Sequence, residues 1–165
     1  MRRAWGLLSF LGLACLGRDA SARNIAWLLD GVTFVDGGTA SGYFVFDADR
    51  NRIGDFSVSV DGGNETELAP YTYTPDDANP SLPTIDSNPV PTIEFTSTDD
   101  SIGTPASYRQ LRITPADNLS NAGGTVAIDL ASSLSVECYN CARARDIASG
   151  DLVSDTLFSD GFDGN

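Results

Sequence analysis

A period of two recurs through most of the chain, and it constrains the fold more than any other feature. Phe56, Val58 and Val60 alternate with Ser57 and Ser59, and Ile93 and Phe95 alternate with Thr92, Glu94 and Thr96. Leu111 and Ile113 alternate with Arg112 and Thr114. The same rhythm places Val126, Ile128 and Leu130 against Thr125, Ala127 and Asp129, and Leu134, Val136 and Cys138 against Ser133, Ser135 and Glu137. Successive side chains of a strand point to opposite faces, so each run predicts a half-buried strand with one apolar face. Residues 43–46, YFVF, are apolar on both faces and predict a central strand. Turn residues punctuate these runs at Asp36-Gly37-Gly38, 47–54, Asp61-Gly62-Gly63 and 121–124. No window carries an apolar stripe of helical period. The expectation is an all-β domain, a jelly-roll-like β-sandwich of about eight or nine short, mainly antiparallel strands.

The N-terminus follows a different logic. Arg2 and Arg3 precede thirteen uncharged residues, AWGLLSFLGLACL, and Ala20-Ser21-Ala22 follows. A short basic start, an apolar run too short to span a bilayer and an A-x-A site are the parts of a cleavable signal peptide. This predicts residues 1–22 as the leader, with cleavage between Ala22 and Arg23. Two alternatives compete with it. One is a buried N-terminal core helix. The other is a lipoprotein anchored at Cys15, for which Gly12-Leu13-Ala14 is a poor lipobox. The expected organisation is a signal peptide at 1–22, a β-sandwich domain at 23–155 and an acidic tail at 156–165. The product is expected outside the cytoplasm, in the periplasm, at the cell surface or secreted, with no membrane insertion of the mature chain.

Composition then excludes whole classes of chemistry. The chain has no histidine, and all ten of its basic residues are arginine. Without His there is no Ser-His-Asp or Cys-His machinery and no imidazole metal ligand. Without Lys there is no Schiff base and no P-loop lysine. Any acid–base catalysis would have to use paired carboxylates. Beyond residue 22 there are seven arginines against 22 acidic residues, a net charge of −15 compared with −13 for the whole chain. Such a field repels nucleic acid and anionic membrane surfaces.

One segment breaks the strand pattern. Residues 70–91, PYTYTPDDANPSLPTIDSNPVP, hold six of the eight prolines. Proline removes ladder donors, so this stretch predicts an excursion from the sheet, not a central strand. A variable surface insertion is the plainer expectation; the alternative is a binding segment, since it and the neighbouring acidic loops carry aromatic and acidic residues together.

Residues 27–49, WLLDGVTFVDGGTASGYFVFDAD, resemble the opening of a group of small secreted bacterial β-domains of unknown function, which carry a GVTF-x-DGG-T-A-SG-x-F run before a hairpin. The NAGG turn at 121–124 and the R-x-I-x-SG-x-L pattern from Arg145 to Leu152 are similar to that group's later part, so the likeness spans about residues 25–153. Many members of the group end in a PEP-CTERM sorting segment, which this chain lacks. Its ending, LFSDGFDGN, resembles instead a short F-x-DGFE tail of secreted gammaproteobacterial proteins. Neither resemblance implies an activity or a catalytic residue.

Three constellations could carry chemistry. Asp47, Asp49, Asn51 and Asp55 imitate the first half of an EF-hand loop, and calcium needs six to eight oxygens. Arg52 stands at the glycine position of that loop and Val58 at the position of its terminal Glu, so a polar hairpin turn is expected there, with calcium as the alternative. Cys138 and Cys141 form C-Y-N-C after a strand-like run. With no βαβ context and no further ligands, this predicts a structural disulfide in preference to a redox or zinc motif. Asp76/Asp77 and Asp99/Asp100 could serve a glycosidase only if two carboxylates faced each other across a sugar bond, and solvated loops are expected instead. Tyr71 and Tyr73 could stack on sugar rings or simply line a strand edge.

The sequence thus reads as a secreted, non-enzymatic β-domain, a surface- or matrix-associated module for an extracellular ligand or protein. A small carboxylate-dependent polysaccharide hydrolase and a calcium-stabilised binding domain are the alternatives.

Overall fold

In the computed structural model, residues 24–76, 78–81, 90–99 and 107–155 are described, and they form an all-β domain. Ten strands follow in chain order: β1 (Ile25–Phe34), β2 (Thr39–Asp47), β3 (Arg52–Asp61), β4 (Tyr71–Tyr73), β5 (Ala78–Ser81), β6 (Ile93–Asp99), β7 (Ser107–Ile113), β8 (Thr125–Ala127), β9 (Val136–Tyr139) and β10 (Arg143–Asp155). Nine lie on one hydrogen-bonded path, β4-β3-β2-β1-β10-β9-β7-β6-β5, while β8 pairs with β10 off that path. Every pairing is antiparallel.

The expected two-sheet sandwich is corrected by this topology: the path is one nearly closed, barrel-like sheet. The thirteen-residue β10 joins what would otherwise be two sheets. Its first residues pair with β9 and its later ones with β1 and β8. Where β1 meets β10 the register slips between Asp30 and Thr33, with Gly31 (φ 60°) and Gly150 (φ 141°) at the irregularity. Bulges of this kind increase local twist and bend a sheet towards closure. β4 and β5 are the two edges, and on the far side β4 packs against β6. There the Tyr71 hydroxyl donates to Ser97 Oγ, and the Tyr73 ring lies 6.3 Å from Phe95.

The interior matches the period-two reading over most strands. Trp27, Phe44, Phe56, Val58, Phe95, Leu111, Ile113 and Leu152 are buried in one cluster. Phe95 reaches across to Phe56 (5.1 Å between centroids) and Phe44 (6.1 Å), so opposite walls touch at the centre. Residues 43–46 occupy a central strand between β1 and β3, as expected.

Three expectations need correction. The 125–130 run is a strand for only three residues; Ile128 is buried in an isolated bridge to Pro115, and Leu130 is 50% exposed. The face assignment of β9 is reversed. Glu137 stands opposite the core residue Leu111 and points inward, so Val136 and Cys138 occupy the outer face. The segment 70–91 is also not wholly outside the sheet. It supplies both edge strands, β4 and β5, with Pro80 opposite Phe95 in β5. An edge is where a ladder tolerates proline.

Candidate functional site

Cross-strand partners share a face, so the register identifies the residues that look into the barrel. Along β7, β9 and β10 the inward rows are Leu111–Glu137–Arg145 and, one step nearer the open end, Arg109–Tyr139–Arg143. The core therefore changes from aliphatic to charged within one step of the strands.

Glu137 is the centre of this change and is fully buried. Its Oε1 accepts from Arg109 Nε at 2.7 Å and lies 2.5 Å from Arg109 Nη2. Its Oε2 accepts from Arg145 Nε at 2.7 Å and lies 2.6 Å from Arg145 Nη2. The two Nη2 contacts lack hydrogen-bond alignment, so their attraction is that of charges alone. The Tyr73 hydroxyl also donates to Oε1, at 3.3 Å. Burial, reinforced by the Glu137 charge, pushes the Tyr73 hydroxyl pKa well above its usual 10.0.

The two Asp-Gly-Gly turns close over Arg145. Its Nη1 donates to the Gly62 carbonyl at 2.8 Å and lies 3.3 Å from Asp36 Oδ2. Asp36 is held in turn by the Gly38 amide (3.0 Å to Oδ1) and the Asn64 amide (2.9 Å to Oδ2). Burial opposes ionisation of Asp36. The amides of Asn64 and Gly38, with Arg145, outweigh it and hold the carboxyl below its usual 3.8. Space explains the glycines: a β-carbon on Gly38 would overlap Arg145 Nη1, and one on Gly63 (φ 73°) would stand 2.5 Å from the Asp36 carboxylate. The Arg145 guanidinium also lies 4.2 Å over the Phe34 ring. Buried Glu137 and the more exposed Asp36 thus offset the charges of the two buried arginines.

Above this floor the barrel mouth opens as a groove of about 680 Å³. Arg109, Tyr139, Arg143, Tyr71 and Ser97 line it from the strands, and the 65–70 loop forms its rim with Glu65 and Glu67. Leu68, 4% exposed, pins that loop to the body, and Arg109 Nη1 donates to the Ala69 carbonyl. The Tyr71 ring is held between Arg109 (5.1 Å) and the edge of Tyr73 (4.8 Å). The Asn140 side chain accepts from the Tyr108 amide at 2.8 Å, which fixes the β9–β10 turn beside the groove. The mouth therefore presents tyrosine rings, a guanidinium, an amide and carboxylates from a rigid frame.

The residues singled out from sequence fall mostly elsewhere. Asp47 is buried, and its carboxylate accepts from the Arg50 amide (3.0 Å) and guanidinium (2.7 Å); the latter chiefly holds its pKa below 3.8. Asp55 accepts from the Tyr43 hydroxyl at 2.8 Å, while Asp49 and Asn51 are exposed in the turn, Asn51 with φ 48°. Among the described residues no group of three or more His, Cys, Asp or Glu side chains could hold a metal ion. Cys138 and Cys141 form a disulfide on the outer face of β9. Asp76 is exposed and Asp99 closes β6; Asp77 and Asp100 lie outside the described residues, as do the proposed cleavage site and tail. Tyr71 belongs to the groove and Tyr73 to the core beneath it. Sequence reasoning missed Arg109, Glu137, Tyr139, Arg143 and Arg145. The available signal was the Glu137/Arg145 pair, which faces itself once the hairpin turn is set at 140–142. No family model, curated protein or solved structure matches the chain.

Proposed function

We propose that this chain is an extracytoplasmic, non-catalytic binding module that takes a segment of polysaccharide into the groove at the barrel mouth. The observation that carries this reading is the inward row Arg109–Tyr139–Arg143, with Tyr71 beside it, above a charge-balanced floor. Sugars present apolar ring faces bordered by hydroxyls. Tyrosine rings next to guanidinium, amide and carboxylate groups match both features. The support for a non-catalytic role is the state of Glu137: both of its oxygens are held by arginines, so it is not free to move a proton. Export belongs to the same reading and rests on the leader-like residues 1–22 and the disulfide-permissive setting it implies.

Isothermal titration calorimetry against a panel of neutral and acidic hexasaccharides tests the proposal. At least one class should bind the wild type without being cleaved. Tyr139→Ala should weaken that binding about tenfold or more while leaving the melting temperature within a few degrees. No binding by the wild type across the panel, or equal binding by the variant, would overturn the reading.

A further inference from the structure

We propose that the Cys138–Cys141 disulfide is a redox-active site that opens to external thiols, a function separate from ligand binding at the mouth. Only one of its sulfurs can be reached. Cys141 is exposed in the β9–β10 turn, whereas Cys138 is 1% exposed beneath it. An incoming thiolate therefore meets Cys141, and Cys138 is the leaving group.

The outer face of β7 lies against both sulfurs, closer to Cys141 than to Cys138. Arg112 Nη2 lies 3.4 Å from Cys141 Sγ and 4.0 Å from Cys138 Sγ, and Arg112 Nε is buried without an acceptor. A disulfide sulfur is a poor acceptor and a thiolate a strong one, so breaking the bond gives Arg112 Nη2 a full counter-charge in place of two weak sulfur contacts. Gln110 Oε1 stands 3.9 and 3.7 Å from the two sulfurs. Its amide nitrogen is tied to Glu94 Oε1 (2.9 Å) and Thr96 Oγ1 (3.1 Å), so the oxygen faces the cysteines and can accept from a thiol once one forms. The backbone contributes as well: Asn140 and Cys141 both have positive φ, 48° and 44°, and the ring holds Cys141 in a region that non-glycine residues seldom adopt. The other charges in this row are Glu94, across from Arg112, and Asp146, across from Val136. Arg112 is the charged side chain in contact with the sulfurs.

The step balances with a thiol as reductant. A thiolate RS⁻ attacks Cys141 Sγ; the RS–Sγ bond forms as the Cys138–Cys141 bond breaks, and the electron pair leaves on Cys138 Sγ beside Arg112. A second thiolate then attacks the RS sulfur and releases the Cys141 thiolate. Two thiols become one disulfide, and their two protons are available to the two cysteines.

Two readouts test this on the oxidised protein in native buffer. Reduction by dithiothreitol, followed by iodoacetamide trapping and mass spectrometry, should proceed without denaturant. Arg112→Ala should slow it about threefold to tenfold, because the leaving thiolate loses its neighbouring cation, and Arg112→Lys should restore most of the rate. Under limiting reduced glutathione, peptide mapping of the wild type should find the mixed disulfide on Cys141. Resistance to reduction until the fold is denatured, an Arg112→Ala rate equal to wild type, or glutathione on Cys138 would each overturn the proposal.

Discussion

Replacing Glu137 with glutamine keeps the size of the side chain and one acceptor oxygen, but removes the charge between Arg109 and Arg145. Both guanidiniums would then stand in a buried site with their main counter-ion gone. Losing one partner of a buried ion pair costs about 3–5 kcal/mol, because the remaining charge is left uncompensated. The lower end applies here, since Arg145 keeps the Gly62 carbonyl and Asp36, and Arg109 keeps the Ala69 carbonyl. A loss of about 3 kcal/mol is a large share of the ~5–15 kcal/mol that stabilises a typical domain. Urea unfolding followed by far-ultraviolet circular dichroism reads this as a lower midpoint at unchanged slope. The combined replacement Arg109→Met, Glu137→Leu and Arg145→Met provides the complement. It removes the three buried charges together, leaving Asp36 at the surface with the Gly38 and Asn64 amides, and should recover to within about 1 kcal/mol of wild type or exceed it. A Glu137→Gln variant losing less than about 1 kcal/mol would refute the reasoning, because the cluster would then be solvated and the interior wet at this end.

Two further outcomes follow from the same frame. Asp36 has its folded pKa below 3.8, so the stability it lends is present above that value and is lost as pH falls through the folded one; melting temperature should drop steeply below about pH 4, and Asp36→Asn should flatten that limb while lowering the neutral-pH plateau. Gly42 has φ 119°, and a β-carbon there would overlap the Ser57 carbonyl oxygen of the paired strand, so Gly42→Ala should cost about 2 kcal/mol or more in urea unfolding, against about 1 kcal/mol for Gly37→Ala, which has φ 86° but open space.

Local pattern was enough to identify much of the fold. The alternations at 56–60, 93–95 and 111–113 put the right residues inside, because those strands are apolar on one face and nothing else competes for it. Closure into a barrel was not legible. It depends on β10 pairing with β1 across the whole chain and on a bulge shared by Gly31 and Gly150, which no local window contains. The site was hidden by the same alternation that revealed the core. Arg109, Glu137 and Arg145 take inward positions in strands whose outer neighbours include Val136 and Cys138, so a rule of apolar inside and polar outside assigns β9 the wrong phase. Their burial is affordable only because β7 packs beside the β9–β10 hairpin and brings the charges together. The two Asp-Gly-Gly turns were visible as turns, but their purpose, leaving room for a guanidinium, required the neighbour. The prolines of 70–91 correctly spoke against a central strand and concealed two edge strands.

Whether the barrel mouth is the binding surface is decided most directly by chemical-shift mapping. ¹⁵N-labelled protein would be titrated with whichever hexasaccharide binds in calorimetry. The largest amide shifts should cluster at Tyr71, Ser97, Arg109, Tyr139, Asn140 and Arg143, with the outer face of β1 and β2 at Leu28, Tyr43 and Val45 unmoved. Saturable shifts on that outer face with the mouth residues silent would contradict it.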